Sequence, residues 1–527
     1  MNIDYNKILQ QLAYNAKDPL LFNSGFFLFF IFIFFLFYQF LYKRKVSRII
    51  YFTIFSLYFF YKACGLYVSL IVVSAIVDFS LSNWIYAVKT HRKKKALLLF
   101  SIVINLGMLC YFKYTDLFID IINDLQFGHI EPLKLILPIG ISFYTFENLS
   151  YTIDVYRGQF KPVSNFLDYL FFLSFFPKLV MGPIVRASDF IPQIRKDILV
   201  TEDDIGRGLY LVMGGLFKKV VISDYIYSNF VQYIFDDPSR YSGIECLFGV
   251  YGYAMVIYCD FSGYSDMAIG MAQWMGFKIP VNFDLPYQSS SITEFWRRWH
   301  ISLSSWLKDY LYITLGGNRK GKIRQYINLM LTMLIGGLWH GASLKFVFWG
   351  GMHGIALAFD KMFQDFKKKF LVRSSKFKVQ SPENMQQTTV VNHQSTIVNR
   401  NPDSHRESFV NKIVHLAGIA ITFHFVCFCW IFFKASSFHD ALIILKQITG
   451  NFNLKAFAPM MQAYTSVFAV MGLGYLTHFT PKWIQQKGED LVTDMPVIGK
   501  VAVLFIFIWL VIQVKQADQV MPIYLQF

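Results

Sequence analysis

The sequence predicts an all-α protein that crosses a membrane many times. Of its 527 residues, 55% are hydrophobic and 57 are phenylalanine, whereas soluble domains are usually about 45–50% apolar. The apolar residues form long runs, such as FFLFFIFIFFLFYQFLY at residues 26–42. This run lacks the alternation that a transmembrane β-strand requires. Because a span needs roughly 20 apolar residues, and several runs are shorter, we predict about 11 to 13 transmembrane or re-entrant helices.

The positive charge lies mainly in short loops beside the apolar runs. The chain has 50 Lys and Arg against 34 Asp and Glu, a formal net charge of +16. In a soluble protein this excess would suggest a nucleic-acid partner. Here two basic clusters, at residues 43–48 and 91–95, flank one predicted helical hairpin. Cytoplasmic loops of membrane proteins carry such an excess, so we place both clusters in the cytoplasm, with the N-terminus outside, and expect no nucleic acid.

The six cysteines give no sign of a disulfide framework or a metal centre. Most lie in apolar runs, and no CxxC pair is present. We therefore expect neither zinc nor another bound metal. The first apolar run is long enough to span and lacks a preceding basic segment, so no cleavable signal peptide is expected.

The distribution of polar segments divides the chain into four parts. The first contains predicted spans and a stretch, Thr115–Gly128, whose Asp116, Asp120 and Asp124 recur at helical spacing and predict an amphipathic helix at the outer interface. The third part, residues 364–411, has too few large apolar residues to fold alone. The four parts are N-terminal transmembrane helices and an interfacial helix (1–135), a central core (136–363), a mobile cytoplasmic loop (364–411) and C-terminal transmembrane helices (412–527).

The core contains His340 at the end of an apolar run, in the sequence GGLWHGA. An ionisable side chain at membrane depth is costly to place, so a functional role is the first interpretation. Neutral imidazole accepts a proton near pH 7, and Trp339 would exclude water on one side. Gly336 and Gly337 would let a substrate or another helix approach the backbone. The alternative is a buried histidine bonded to a neighbouring helix.

A second histidine follows the basic, tryptophan-rich segment EFWRRWH. On a helix, Trp296, Trp299 and His300 would share one face, which Ser304 extends. Arg297 and Arg298 would lie beside it. One interpretation is a helix anchored by tryptophan and arginine at the lipid headgroups. The other is a helix that lines an acyl-donor channel, with its arginines near phosphate groups.

Several other ionisable residues lie in or beside apolar stretches. Glu147, Asp154 and Asp260 are equally compatible with carboxylate partners, cation sites and hydrogen-bonded cavity residues, and His353 is more typical of a structural histidine. The basic loop of residues 319–324 would meet anionic headgroups or the phosphates of a nucleotide-bearing donor. No Walker loop, HExxH or GxSxG sequence is present, which argues against an ATP-driven pump, a zincin and a serine hydrolase.

These motifs resemble those of the membrane-bound O-acyltransferase (MBOAT) family, in the branch of alginate O-acetylases and related polysaccharide or peptidoglycan acetylation proteins. The resemblance covers most of the chain and is most specific between Asp260 and Ala342. It is carried by LPIGISFYTFENLSYTIDVYRG (137–158), FPKLVMGPIVR (176–186), the run from DFSGYSD to LGGNR (260–319), GGLWHGA (336–342) and the terminal MPIYLQF.

The resemblance implies a bacterial cytoplasmic-membrane enzyme with a central channel, cytoplasmic acetyl-CoA as co-substrate and no permanently bound cofactor. It implies O-acetylation of an extracytoplasmic polysaccharide, completed by a separate SGNH-type acetyltransferase. The family's essential histidine maps onto His340 and the second onto His300, the predicted catalytic pair. Predicted donor or acyl contacts are Trp296, Arg297, Arg298, Trp299, Ser304 and Trp339; predicted channel-lining residues are Asp260, Tyr264, Asp266, Asn318, Gly336 and Gly337.

Two other functions remain open from the residues. The intramembrane carboxylates are also typical of a transporter or a flippase of lipid-linked glycan. A D-alanyl transferase of the teichoic-acid type would share the fold but would take its acyl group from a carrier-protein thioester. The length and the C-terminal spans favour the acetylation branch.

Overall fold

The computed structural model describes residues 10–16, 18–126, 128–379, 402–514 and 520–523. Within these ranges the chain is mostly helical and contains no β-strand, which confirms the predicted all-α class. Five helical runs of the described chain are long and apolar enough to cross a membrane, or six if a pair bent by 95° forms one span. The predicted total of 11 to 13 includes shorter and re-entrant helices and stays a prediction. The five runs are Lys45–Ala87, His91–Asp124, Gly243–Trp274, Asn411–Lys434 and Val497–Val514.

Between residues 25 and 124 the N-terminal part forms four α-helices whose boundaries follow the apolar runs. A 3-10 turn that begins at Gly65, where φ is +64°, interrupts the second run, as the sequence predicts. The fourth helix continues through the stretch that was predicted to be a separate interfacial helix. The prediction of a separate helix is wrong, because α4 runs without a break to Asp124 as a helix of 34 residues. The helices are α1 (Gly25–Leu41), α2 (Lys45–Cys64), α3 (Val68–Ala87) and α4 (His91–Asp124).

The next part contains a broken segment that packs against the N-terminal helices. Its first helix begins directly after Gly140, as the Pro138 and Gly140 signals predict. Gly140 has φ +76°, and a Cβ there would lie 2.5 Å from the carbonyl oxygen of Leu179. Only glycine permits this approach. It brings the break before α5, at Gly140, against the end of α7, at Leu179. The helices are α5 (Ile141–Tyr156), α6 (Phe166–Ser174), α7 (Phe176–Leu179) and α8 (Ala187–Ile194).

A long helix, α11 (Gly243–Trp274), runs through the protein interior, with 78% of its most apolar window buried. It packs along α9 and the π-helical turns that follow it. The charged pair Lys218 and Lys219, in the first of these turns, points toward α11. The elements are α9 (Glu202–Leu216), π-turns at 217–224 and 227–231, α10 (Gln232–Asp236) and α11.

The EFWRRWH sequence lies mainly on a short helix, and GGLWHGA lies at the end of a 19-residue helix that two longer helices follow. Helix α15 runs from Leu344 to Val379 and α16 begins at Pro402, so both extend into the predicted loop of residues 364–411. Its residues 380–401 lie outside the described residues. The remaining helices are α12 (Ile292–Arg298), α13 (Ile301–Trp306), α14 (Lys322–His340), α15, α16 (Pro402–Lys434), α17 (Phe438–Gly450), α18 (Phe457–Ala463), α19 (Thr465–Phe479), α20 (Lys482–Asp494) and α21 (Val497–Val514).

Two large apolar clusters make up most of the interior. The first joins α1–α8 to part of α11 and includes Trp339. The second joins α11 to α12, α15, α16 and α19, and includes Trp349 and Phe433. The end of α14 lies where these two clusters meet, and this is where the candidate site is found.

Candidate active site

His340 is the last residue of α14 and is enclosed by aromatic rings. Only 3% of its surface is exposed. Its ring centroid lies 5.1 Å from that of Trp339, 5.0 Å from that of Trp349 and 5.5 Å from that of Phe433. Trp339 belongs to one apolar cluster and the other two rings to the second. The imidazole therefore lies at the seam between the two halves of the core.

The glycines before His340 allow α14 to pack tightly at this seam. A Cβ on Gly337 would lie 2.3 Å from the carbonyl oxygen of Phe346 and 3.0 Å from Cα of Gly350. The two helices therefore touch through their backbones. This approach brings Trp349 beside the imidazole, so Gly337 admits a helix instead of lining a channel. Gly336 faces Leu307: a Cβ on Gly336 would lie 3.1 Å from Leu307 Cδ1.

His300 also contacts Trp339. Its ring centroid is 6.2 Å from that of Trp339 and 4.6 Å from that of Phe261, and its side chain is fully buried. The chain does not form one helix here, because α12 ends at Arg298 and His300 has φ +43° before α13 begins. The predicted shared helical face of Trp296, Trp299 and His300 is therefore wrong. The break turns the imidazole toward Trp339.

Asn282 fixes the orientation and the tautomer of His300. The Asn282 Nδ2 amide donates to Ser265 Oγ at 3.1 Å, and its Oδ1 accepts from the Ser302 backbone N–H at 3.2 Å and Oγ at 2.9 Å. The atom that lies 3.2 Å from His300 Nδ1 is therefore an oxygen. An oxygen acceptor requires the proton to be on Nδ1. The second ring nitrogen, Nε2, then carries the lone pair.

The other predicted donor contacts separate into buried and exposed groups. Trp296 and Trp299 are buried among aromatic rings, the first against Trp349 at 5.8 Å and the second against Trp430 at 5.1 Å. Arg297 is exposed. The two remaining predicted contacts make local bonds: Arg298 pairs with Glu294 at 2.6 Å, and Ser304 Oγ donates to the Trp299 carbonyl at 3.2 Å.

The carboxylates of α11 have partners inside the helix bundle. Asp260 is 1% exposed; its Oδ1 accepts from Lys219 at 2.6 Å and its Oδ2 from the backbone N–H of Ile523 at 2.8 Å. Lys219 also pairs with Asp224 at 2.7 Å. Asp266 pairs with Lys218 at 2.6 Å nearer the surface. These groups tie α11 to the π-turns and to the C-terminal segment instead of facing the cavity described below.

The remaining predicted polar positions also have identified surroundings. Glu147 pairs with Lys178, and Asp154 accepts a hydrogen bond from Tyr310 at 2.8 Å. Of the interpretations left open by the sequence, the structure therefore favours carboxylates that bond protein side chains. Tyr264 is buried, with its hydroxyl 3.4 Å from Asn23 Oδ1, whereas Asn318 is exposed in a turn. His353 is buried beside Trp349, at 4.7 Å between ring centroids.

Sequence reasoning missed two residues that hold the end of α14. Lys113 Nζ donates to the carbonyl oxygens of Trp339 at 2.7 Å and His340 at 3.0 Å. The hydroxyl of Tyr114 donates to the carbonyl of Leu338 at 2.8 Å. Both come from α4, more than 200 positions earlier in the chain. The only signal was a lysine at the end of an apolar run, which does not identify a distant partner.

A cavity of about 290 Å³ opens beside this lysine. Its described lining residues are mainly apolar and aromatic, and Lys113 is the only charged one among them. Trp339 is the one predicted site residue on its wall. The other wall residues that matter below are Tyr14, Cys64, Tyr67, Ser142, Phe143 and Met521. Phe143 also contacts His300, at 6.4 Å between centroids, so the cavity reaches rings that touch both histidines.

Comparison with known proteins identifies the family. Residues 17–399 match the sequence model of the MBOAT, membrane-bound O-acyltransferase, family. The chain belongs to this family. It is therefore a polytopic membrane acyltransferase. Both histidines, Trp339 and Trp349 lie within the matched region, whereas Phe433 lies beyond it.

Three related proteins show which members of this acyltransferase family the chain is similar to. A peptidoglycan O-acetyltransferase of Helicobacter pylori is 34% identical over 461 residues, which cover 82% of this chain and 80% of that protein. A probable alginate O-acetylase of Pseudomonas putida is 47% identical over 279 residues, 52% of this chain and 56% of the relative. A teichoic acid D-alanyltransferase of Bacillus subtilis is 28% identical over 59% of this chain and 72% of that protein.

Proposed function

We propose that this acyltransferase moves an acetyl group from cytoplasmic acetyl-CoA through the membrane for O-acetylation of an extracytoplasmic polysaccharide. The observation that carries the proposal is the convergence of His300 and His340 on Trp339 inside the helical core. Relatives named for O-acetylation of peptidoglycan and alginate align with this chain at 34% and 47% identity. The names of these two relatives support acetyl as the transferred group and a bacterial surface glycan as its acceptor.

In this proposal His340 is the general base. The acceptor hydroxyl adds to the thioester carbonyl while its proton passes to the imidazole, and the proton then goes to the departing thiolate. Such proton transfer contributes roughly 10²–10⁴-fold in rate. His300, with Nδ1 held by Asn282, orients the acyl group beside Trp339 and so reduces the entropy lost on reaching the transition state.

The position of His340 along α14 suits transfer between two compartments. The helix begins at Lys322 beside the basic loop and ends at His340, a rise of roughly 27 Å. With that loop in the cytoplasm, the imidazole lies toward the outer side of the membrane. Only the thioester-bearing end of acetyl-CoA then needs to enter the protein. The nucleotide would stay in the cytoplasm near the exposed Arg297 and residues 319–324. An SGNH-type partner would then meet the acetyl group outside.

Mass spectrometry of the surface polysaccharide, with and without this protein, tests the proposal. We expect ester-linked acetyl groups only when the protein is present, and their loss on mild alkaline treatment. Ester-linked alanine would instead indicate the D-alanyl transfer for which the Bacillus subtilis relative is named. An unmodified glycan whose export depends on the protein would favour a flippase. Either result would contradict the acetyl proposal.

A further inference from the structure

We propose that Lys113 is a catalytic residue of the same reaction, which stabilises the negative oxygen formed when the acceptor hydroxyl adds to the thioester. This inference rests on the proposed acyl transfer. An ammonium group has three N–H donors. Two of them bond the carbonyls of Trp339 and His340, and Lys113 also lines the cavity. The third donor is therefore the one available to a reacting group in that cavity.

The surroundings make the lysine the natural partner of a developing negative charge. Among the described residues that line the cavity there is no carboxylate, and Lys113 is the only cation. The carbonyls at the C-terminal end of α14 carry partial negative charge, and their bonds to Nζ hold the ammonium in place. A fixed donor in an apolar cavity stabilises an oxyanion more strongly than water does, because it does not have to reorient.

The cavity also lies on the side from which the acceptor comes. Its wall includes Cys64, at the end of α2, and Tyr67, just before α3. Helix α2 begins at Lys45 and α4 at His91, both within the basic clusters, so the cavity is at the other end of these helices, roughly 30 Å away. The positive-inside rule then places it toward the outer surface. An acceptor hydroxyl and Lys113 would meet there without the donor's nucleotide crossing.

The proposed step keeps its atoms and charges in balance. The hydroxyl oxygen bonds to the carbonyl carbon of the thioester, and the hydroxyl proton passes to His340. The carbonyl π electrons move to the oxygen that Lys113 Nζ bonds. When the carbonyl re-forms, the C–S bond breaks and the thiolate takes the proton from His340. No oxidant, metal or further co-reactant takes part.

Replacing Lys113 by methionine tests the proposal, because the two side chains have similar length but only lysine has N–H donors. We expect kcat for acetyl transfer in native membrane vesicles to fall by about 100-fold or more, with little change in KM for acetyl-CoA. The matched control is Tyr114→Phe, which removes the neighbouring bond to α14 outside the cavity. We expect it to lose less than about tenfold. Equal losses in the two variants, or a K113M loss expressed in KM, would show a structural role only.

A chemical restoration separates lost charge from misfolding. In Lys113→Cys, alkylation of the thiolate by 2-bromoethylamine releases bromide and builds a side chain of lysine-like length that ends in an ammonium group. We expect activity to recover after this treatment, whereas treated Lys113→Met stays inactive, which controls for reaction at Cys64. No recovery despite alkylation at position 113, measured by mass spectrometry, would overturn the proposal. A wild-type protein without acetyl transfer would instead contradict the proposed function itself.

Discussion

Replacing His340 by alanine is expected to lower acetyl transfer by roughly 10²–10⁴-fold, the contribution of a general base. The imidazole is enclosed by Trp339, Trp349 and Phe433, so water cannot readily take its place as the proton acceptor. The measurement is the initial rate of acceptor-dependent CoA release from acetyl-CoA. The amount of folded protein in the membrane is measured in parallel, because the substitution also removes ring contacts.

The matched control is a histidine outside the core. His424 on α16 is exposed and bonds the hydroxyl of Tyr251. We expect His424→Ala to retain the wild-type rate. If His340→Ala is as active as this control at equal abundance, another group accepts the proton and the proposed base is wrong.

Replacing Lys219 by methionine is expected to destabilise the protein by about 3–5 kcal/mol, the usual effect of breaking a buried ion pair. The side chain is fully buried and pairs with both Asp224 and Asp260. Its removal leaves two buried carboxylates without their shared cation. Asp260 also holds the backbone of Ile523, so we expect loosening of the C-terminal segment as well. Thermal unfolding in detergent and protease sensitivity of that segment measure the two effects.

The neighbouring lysine provides a control with similar chemistry and less burial. The side chains of Lys218 and Asp266 are 28% and 22% exposed, and water screens partly exposed pairs. We expect Lys218→Met to lower stability by less than half as much. Equal destabilisation by the two substitutions would contradict the idea that burial of the Lys219 network sets its contribution.

The sequence predicted the fold class and a close approach of another group to the backbone beside His340 for identifiable physical reasons. Long apolar runs specify membrane helices, and the GGLWHGA pattern combines a costly polar group with residues small enough for close packing. Gly337 shows the limit of that pattern: it allows close approach, but only the structure shows that Gly350 on a neighbouring helix fills the space.

Local geometry and distant contacts were not predictable. His300 adopts a positive φ that few non-glycine residues take, so helical spacing gave the wrong faces for the tryptophans. Lys113 bonds the backbone carbonyl of His340, which lies 227 positions later in the chain. The periodicity of apolar residues does not indicate such distant pairs. Ion pairs such as Lys219–Asp260 also depend on helix packing, which is why three functions for the buried carboxylates stayed open from the sequence.

The most direct measurement is vectorial transfer in inverted membrane vesicles, whose cytoplasmic face is outside. Acetyl-CoA labelled in its acetyl group is added outside, and the polysaccharide is enclosed together with the SGNH-type partner. We predict labelled ester on the enclosed polysaccharide while free CoA accumulates outside, both lost in His340→Ala vesicles. Labelling only when donor and polysaccharide share one compartment would contradict transfer through the protein.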